Sequence, residues 1–185
     1  MGYTTKRSLI DSGDEMTEGL ADQHARAITL RPVRPADESF LYEVYASTRL
    51  HDLAPLGWSA AQQKAFLTMQ FTAQHRSYLV QFPAAEFRVI LLQDCPIGRL
   101  YVEQRADEIR GIDMALLPEY RQAGIGTAVL KDLLANAAQA RKPFRIHVEK
   151  LNRARRLYER LGFTTLEDDG VHLFMEWCPD RHALT

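Results

Sequence analysis

The stretch Arg121-Gln122-Ala123-Gly124-Ile125-Gly126 follows an apolar run over residues 112–117 and Pro118, and it precedes a helical pattern from Thr127 to Ala140. A strand, a tight glycine turn and a helix start therefore follow one another. The first N–H groups of a helix have no acceptor inside the helix, and the helix dipole adds partial positive charge there. Because glycine lets the backbone approach a ligand closely, this order of elements is typical of a pyrophosphate site.

Two common phosphate motifs are excluded by the residues themselves. The dinucleotide fingerprint requires a small residue where this chain has Val129, and a Walker A loop requires a Gly-Lys-Ser/Thr triplet that the chain lacks. What remains is Arg-x-x-Gly-x-Gly after a strand and a proline. In this respect the sequence resembles the GNAT superfamily of acyl-CoA-dependent N-acetyltransferases.

A second block carries the same resemblance. A predicted strand, Phe144–Glu149, is followed by residues 152–163, which are similar to the family's Asn-x-x-Ala-x-x-Leu-Tyr-x-x-x-Gly-Phe helix. The resemblance spans Ile28 to Trp177 and is strongest between Ile112 and Phe163.

Hydrophobic periodicity predicts the remaining elements. Before the glycine turn we expect a strand at 28–31, helices at 36–48 and from the capping box at Ser59 to about Gln74, and an antiparallel meander at 87–92, 97–103 and 109–117. A last strand is expected at 171–177. This order predicts one mixed sheet with helices on both faces. The resemblance implies the α/β GNAT fold: a mixed, mostly antiparallel sheet of about six to seven strands, flanked by about four helices and splayed at strands four and five, where acyl-CoA enters.

Length and composition predict one GNAT domain over residues 27–180, preceded by a flexible polar extension over residues 1–26. The net charge of −1 argues against nucleic acid as a partner. No apolar run is long enough for a membrane span, and two cysteines form neither a disulfide framework nor a metal-ligand pattern. A cytoplasmic protein without a metal is therefore expected.

The resemblance implies acetyl-CoA as co-substrate. The backbone of the glycine turn would hold its pyrophosphate, Arg121 would add a guanidinium suited to phosphate oxygens, and a bulge at the end of the fourth strand would leave backbone groups free for the pantetheine arm. Asn152 is either a helix N-cap or a partner of the pantetheine amide, and Arg155 or Arg156 would meet the 3′-phosphate. The predicted cofactor-binding residues are Leu116, Leu117, Arg121, Gln122, Ala123, Gly124, Ile125, Gly126, Thr127, Asn152, Arg155 and Tyr158.

Tyr158 is the predicted catalytic acid, since a phenol can give a proton to a leaving thiolate whose conjugate acid has a pKa of about 8.5. The alternative is an ordinary packed tyrosine, because Ala154, Leu157, Tyr158 and Leu161 share one helix face. Glu103 is the predicted base. Asp113 and His147 are the other candidates, and a chain of water molecules would also suffice.

The predicted acceptor site lies between the first two helices, where Tyr45, His51, Asp52 and Trp58 occur. The resulting hypothesis is transfer of an acetyl or short acyl group to a primary amine of a small molecule, peptide or protein by direct attack in a ternary complex. An aminoacyl-tRNA or protein N-terminus as acceptor, and a non-catalytic module that senses acyl-CoA, are the alternatives. Many relatives form dimers, and a homodimer is expected to use the last strand or the extension.

Overall fold

The computed structural model describes residues 28–179, and the extension predicted over residues 1–26 lies outside them. The strands are β1 (Ile28–Pro32), β2 (Ala85–Leu92), β3 (Cys95–Gln104), β4 (Ile109–Leu116), β5 (Phe144–Glu149), β6 (Thr164–Asp168) and β7 (His172–Trp177). The helices are α1 (Glu38–Leu53), α2 (Ala60–Gln81), α3 (Ile125–Ala140) and α4 (Arg155–Arg160). None of these helices is both long and apolar enough to cross a membrane.

The seven strands form one sheet in the order β1-β2-β3-β4-β5-β7-β6. Every neighbouring pair is antiparallel except β4 and β5, which run parallel. The mixed sheet, the meander and the number of helices are confirmed. Strand β6 was not predicted, because its five residues are all exposed and show no apolar alternation.

Helices cover the sheet on both faces. Val129, Leu134 and Ala137 of α3 join the main core with Leu100 and Ile146 of the sheet. A second cluster, which includes Leu41, Tyr45, Leu67 and Phe71, joins α1 to α2. Successive strand residues point to opposite faces, so the residues on either side of Leu100 lie beneath α1 and α2.

Helix α2 begins where its sequence predicts and ends later. The Ser59 Oγ accepts from the Gln62 N–H at 3.3 Å, and the Gln62 side chain accepts from the Ser59 N–H at 2.9 Å, which is the predicted capping box. The helix continues to Gln81 rather than ending near Gln74. Tertiary contacts explain the extension, since the ring of Tyr78 packs edge-on against the ring of Tyr101 at 6.0 Å.

A paired carboxylate fastens β1 to the start of α1. Both Asp37 oxygens lie 2.7 Å from the Arg31 guanidinium, and Oδ2 also accepts the Arg34 N–H. Hydrogen bonding from Arg31 lowers the pKa of Asp37 to about 2.

We therefore expect Asp37→Asn to lower the free energy of unfolding by about 1–2 kcal/mol at neutral pH. Because the pKa of Asp37 is lower in the folded state, its ion pair contributes its full stability at pH values above the ordinary aspartate pKa. This contribution is lost as the pH falls towards the folded-state pKa. The difference between variant and wild type should thus shrink between about pH 4 and about pH 2, as measured by urea unfolding. The exposed Asp107→Asn is the matched control; an equal loss there would contradict a specific role for Asp37.

Candidate functional site

The parallel strands β4 and β5 meet over three residue pairs and then separate. Ile109, Arg110 and Gly111 pair with Phe144, Arg145 and Ile146. A Cβ on Gly111 would lie 2.8 Å from a Phe144 ring carbon and 2.9 Å from Ile146 Cγ2, so only glycine allows this close approach. The remaining residues of the two strands do not pair with each other, and a gap opens between them. The splay predicted at strands four and five is confirmed.

The bulge associated with this gap lies at Ile112. Tyr101 pairs with Asp113 while Val102 pairs with Gly111, which leaves Ile112 as the extra residue on β4. The expectation of a bulge at Leu116–Leu117 was therefore wrong. The extra residue falls immediately after the close contact at Gly111, at the point where β4 turns away from β5.

The backbone of β4 presents alternate residues to the gap. The Leu117 N–H donates to the Ile97 carbonyl of β3 at 2.9 Å, and the Leu117 carbonyl accepts from Tyr120, so neither group is free. Because backbone groups alternate in direction along a strand, Met114 and Leu116 face the gap instead. The expectation of free backbone groups thus fails at Leu117.

The glycine turn forms a row of unpaired amides. Gln122 and Gly124 adopt left-handed backbone angles (φ 63° and 78°), and α3 begins at Ile125. Within the described residues, the N–H groups of residues 122–127 donate to no backbone carbonyl. We call these residues the amide cradle. Free N–H groups at the positive end of a 16-residue helix form an anion site.

The absence of a side chain at Gly126 leaves space in the cradle that no other described residue fills. A Cβ at this position would make only ordinary contacts, at 3.8 Å from Met114 Cε and 3.9 Å from Leu116 Cδ1. Packing within the chain therefore does not require glycine here, whereas a ligand lying against the backbone would.

The Arg121 side chain is engaged inside the protein. Its Nε donates to the Leu116 carbonyl at 2.8 Å, and its Nη2 donates to the Ser47 hydroxyl of α1 at 2.8 Å. Burial lowers the pKa of Arg121. In this structure the guanidinium ties the cradle to α1, and its assignment as a phosphate ligand stays a prediction.

A cavity of about 100 Å³ lies at the gap, and we call it the splay cavity. Its lining includes residues from β4, β5 and the segment that follows β5: Asp113, Met114, His147, Val148, Asn152 and Tyr158. The structure thus brings together the predicted acid and two of the three candidate bases.

Tyr158 reaches the cavity from the short helix α4. Its ring packs edge-on against Phe163 at 5.4 Å, as expected for a core tyrosine, but its hydroxyl makes no hydrogen bond within the described residues. Burial raises the pKa of Tyr158 to about 12, so the phenol keeps its proton at neutral pH.

Asp113 is the carboxylate of the splay cavity. Its Oδ2 lies 2.7 Å from Nη2 of Arg99, whose side chain is buried beneath α1 and α2. Burial raises the pKa of Asp113, although Arg99 acts in the opposite direction. The burial of Arg99 beside Asp113 could not be predicted from the sequence, because an arginine within a strand normally faces solvent.

Glu103, the predicted base, does not line the splay cavity. Its carboxylate is bound by Arg105, and the residue is buried at the far end of β3 rather than in the lining of the splay cavity. The assignment of Glu103 as base stays a prediction, and the geometry favours Asp113.

The two other predicted cofactor contacts have local partners. Helix α4 begins at Arg155, later than expected, and the Asn152 side-chain oxygen accepts the Ala154 N–H at 2.8 Å, as a capping residue would. Arg155 forms an exposed ion pair with Glu159 at 2.7 Å. Asn152 also lines the splay cavity, whereas Arg155 does not.

An open hollow of about 560 Å³ lies between α1 and α2. Tyr45 and Asp52 line it as predicted, but Trp58 packs on Phe66 and the His51 side chain is 91% exposed. Arg49, which lies 3.2 Å from Glu149 at the end of β5, also lines the hollow. The hollow therefore adjoins the carboxyl end of β5, and β5 in turn borders the gap between β4 and β5.

Together the splayed sheet and the amide cradle define an α/β protein with an anion site beside an opened strand pair. Residues 83–165 match the family model of the acetyltransferase (GNAT) domain. This match identifies residues 83–165 as similar to a GNAT acetyltransferase domain, and it supports the assignment of the protein to the GNAT superfamily of acyltransferases. A search of curated proteins found no match.

Solved structures share the fold. The PaiA N-acetyltransferase from Thermoplasma acidophilum, solved in complex with coenzyme A, is 20% identical with a TM-score of 0.62, and the match covers 82% of this chain and 98% of that one. An acetyltransferase from Thermus thermophilus is 19% identical, with a TM-score of 0.58 and coverage of 83% and 97%. A protein from Corynebacterium glutamicum described as histone acetyltransferase HPA2 and related acetyltransferase is 22% identical, with a TM-score of 0.57 and coverage of 83% and 96%.

Proposed function

We propose that this protein transfers an acetyl or short acyl group from acyl-CoA to a primary amine of a small molecule, peptide or protein, by direct attack in a ternary complex. The amide cradle is the observation that carries the proposal, because it offers unpaired N–H groups beside an opened strand edge. The coenzyme A complex of the similar Thermoplasma acidophilum protein supports acyl-CoA as the ligand.

The residues of the chain divide the work as follows. The cradle amides hold the pyrophosphate. The Met114 backbone groups and the Leu116 N–H face the pantetheine arm, since the Leu116 carbonyl already accepts from Arg121. Acyl-CoA supplies the acyl group as an activated thioester. When the amine nitrogen bonds to the acyl carbon and the carbon–sulfur bond breaks, Tyr158 gives its proton to the sulfur. Asp113 takes the proton that the substrate ammonium must lose before its nitrogen can attack, directly or through water, which is the role that the sequence analysis gave to Glu103. The second proton, which the nitrogen loses as the amide forms, returns Tyr158 to its acidic form.

Titration calorimetry with acetyl-CoA tests the cradle, and release of the free thiol with a panel of amines tests turnover. Binding together with amine-dependent thiol release supports the enzyme. Binding without release across the panel would support the sensing module instead. The absence of binding would overturn both.

The choice of base has its own test. We expect Asp113→Asn to lower kcat about tenfold, because water can replace the carboxylate only in part. Glu103→Gln, a matched change outside the cavity, should leave kcat within about twofold of wild type. Steady-state kinetics at saturating acetyl-CoA measures both. The reverse order of effects would return the role to Glu103.

A further inference from the structure

His147 is fixed on two sides at the edge of the splay cavity. Its ring stacks on Phe174 of β7, with centroids 4.6 Å apart and an angle of 18° between the planes. Its Nδ1 lies 3.0 Å from Nη1 of Arg110, a residue of the neighbouring strand β4. One ring face and Nδ1 are both occupied, and Nε2 is the remaining polar atom of a residue that is exposed to solvent and also lines the cavity.

Arg110, the hydrogen-bond partner of His147, determines which ring nitrogen of the imidazole carries the hydrogen. A guanidinium has only donors, so the Nδ1 facing Arg110 must accept, and a neutral imidazole then carries its hydrogen on Nε2. No hydrogen bond from Nε2 is found in the part of the chain that the structure describes. His147 therefore offers an unused N–H group.

Arg110 is itself held rigidly. Its Nε and Nη2 donate to Glu108 Oε1 at 2.9 and 2.7 Å, and Glu108 is 3% exposed. Glu108 also binds Arg105 and Arg145, so the carboxylate is shared by three arginines. Only the Nη1 of Arg110 is directed at His147, so this contact joins the exposed imidazole to the network around the buried Glu108.

The surrounding charges keep the imidazole neutral. Burial, Arg110 from β4 and His172 from β7 all lower the pKa of His147, while Glu167 from β6 and Asp169 from the β6–β7 turn act in the opposite direction. Along β5 itself, positions 145 and 149 share its face, and their side chains are paired with Glu176 and Arg49. The lowering groups prevail, so the neutral form is present at neutral pH.

We propose that His147 serves as a neutral hydrogen-bond donor, whose Nε2–H binds a carbonyl oxygen of the ligand in the splay cavity, and that Arg110 imposes this role. The identity of the ligand rests on the proposed function. The carbonyl belongs either to the acyl group or to the amine acceptor. This role excludes His147 as the proton acceptor, because the Nδ1 lone pair is already engaged and Nε2 has none to offer.

Long-range ¹H–¹⁵N correlation spectra of the imidazole nitrogens test the tautomer without turnover, with His147→Gln identifying the signals by their loss. We expect the Nε2–H form between about pH 7 and about pH 8 in the wild type. In Arg110→Gln, the pKa of His147 should rise towards the ordinary histidine value. Arg110→Lys, which retains a charged donor, serves as the second variant. A wild-type Nδ1–H form, or an imidazolium at neutral pH, would overturn the assignment even if the enzyme is active.

Steady-state kinetics with two amines tests whether His147 binds the carbonyl of the acyl group or that of the amine acceptor. His147→Phe keeps a ring against Phe174 but removes the donor, and we expect kcat/KM to fall about 10- to 100-fold; His147→Gln keeps an N–H and should recover most of it. An equal loss with a simple alkylamine and with an amino-acid amide places the bond on the acyl carbonyl. A loss confined to the amide places it on the acceptor. Unchanged kcat/KM in His147→Phe with both amines would overturn the donor role.

Discussion

Replacing Tyr158 with phenylalanine should lower kcat about 100-fold or more while leaving the affinity for acetyl-CoA unchanged. The variant keeps the ring that packs on Phe163 and removes only the hydroxyl, which no described residue binds. Without the phenol, the sulfur must leave as an unassisted thiolate or take its proton from water. Single-turnover measurement of thiol release reports this step directly.

The pH dependence follows from the environment of the phenol. Because burial raises the pKa of Tyr158 to about 12, the group stays in its acidic form across the neutral range, and its ionisation would reduce the rate only above that range. The ratio of wild-type to variant rate should thus be constant from about pH 6 to about pH 9. Unfolding in urea is the control for folding. A variant with full turnover would mean that Tyr158 is a core tyrosine and no more.

Replacing Gly124 with glutamate should weaken acetyl-CoA binding by a factor of about 100 or more. Gly124 has a φ of 78°, which costs a side chain about 1 kcal/mol, and a carboxylate beside the cradle would repel the pyrophosphate. Titration calorimetry measures the loss. Gly170→Glu is the matched control, since Gly170 has a φ of 92°, open space around it and a place in the β6–β7 turn.

A second substitution separates binding from folding. Gly126→Ala adds only ordinary contacts and removes a glycine from the first turn of α3, so the free energy of unfolding should stay level or rise by up to about 1 kcal/mol. The added methyl group nevertheless occupies the cradle and should weaken acetyl-CoA binding about tenfold. If Gly124→Glu and Gly170→Glu weaken binding equally, the cradle is structural and the proposed function loses its support.

Local signals in the chain explain why much of the fold was predictable. Apolar alternation predicted β5 to the residue, Ser59 predicted the start of α2, and the glycine turn predicted the start of α3 to within two residues. Strand β6 carried no such signal, because an exposed edge strand needs no apolar face. The end of α2 was missed because ring contacts with the sheet, rather than helical periodicity, hold its last turns.

The candidate site divides in the same way. The sequence by itself determined the resemblance to the GNAT superfamily, the glycine turn of the amide cradle and the presence of Tyr158 on the helix after β5, because backbone turns and helix starts depend on residues close together in the chain. The tertiary structure alone decided which carboxylate reaches the cavity, that Arg121 turns to Ser47, and that Arg110 fixes His147. These outcomes depend on contacts across 14, 74 and 37 positions of the chain, respectively. The hydrophobic periodicity of a segment does not predict which side chains from distant parts of the chain will pack against it.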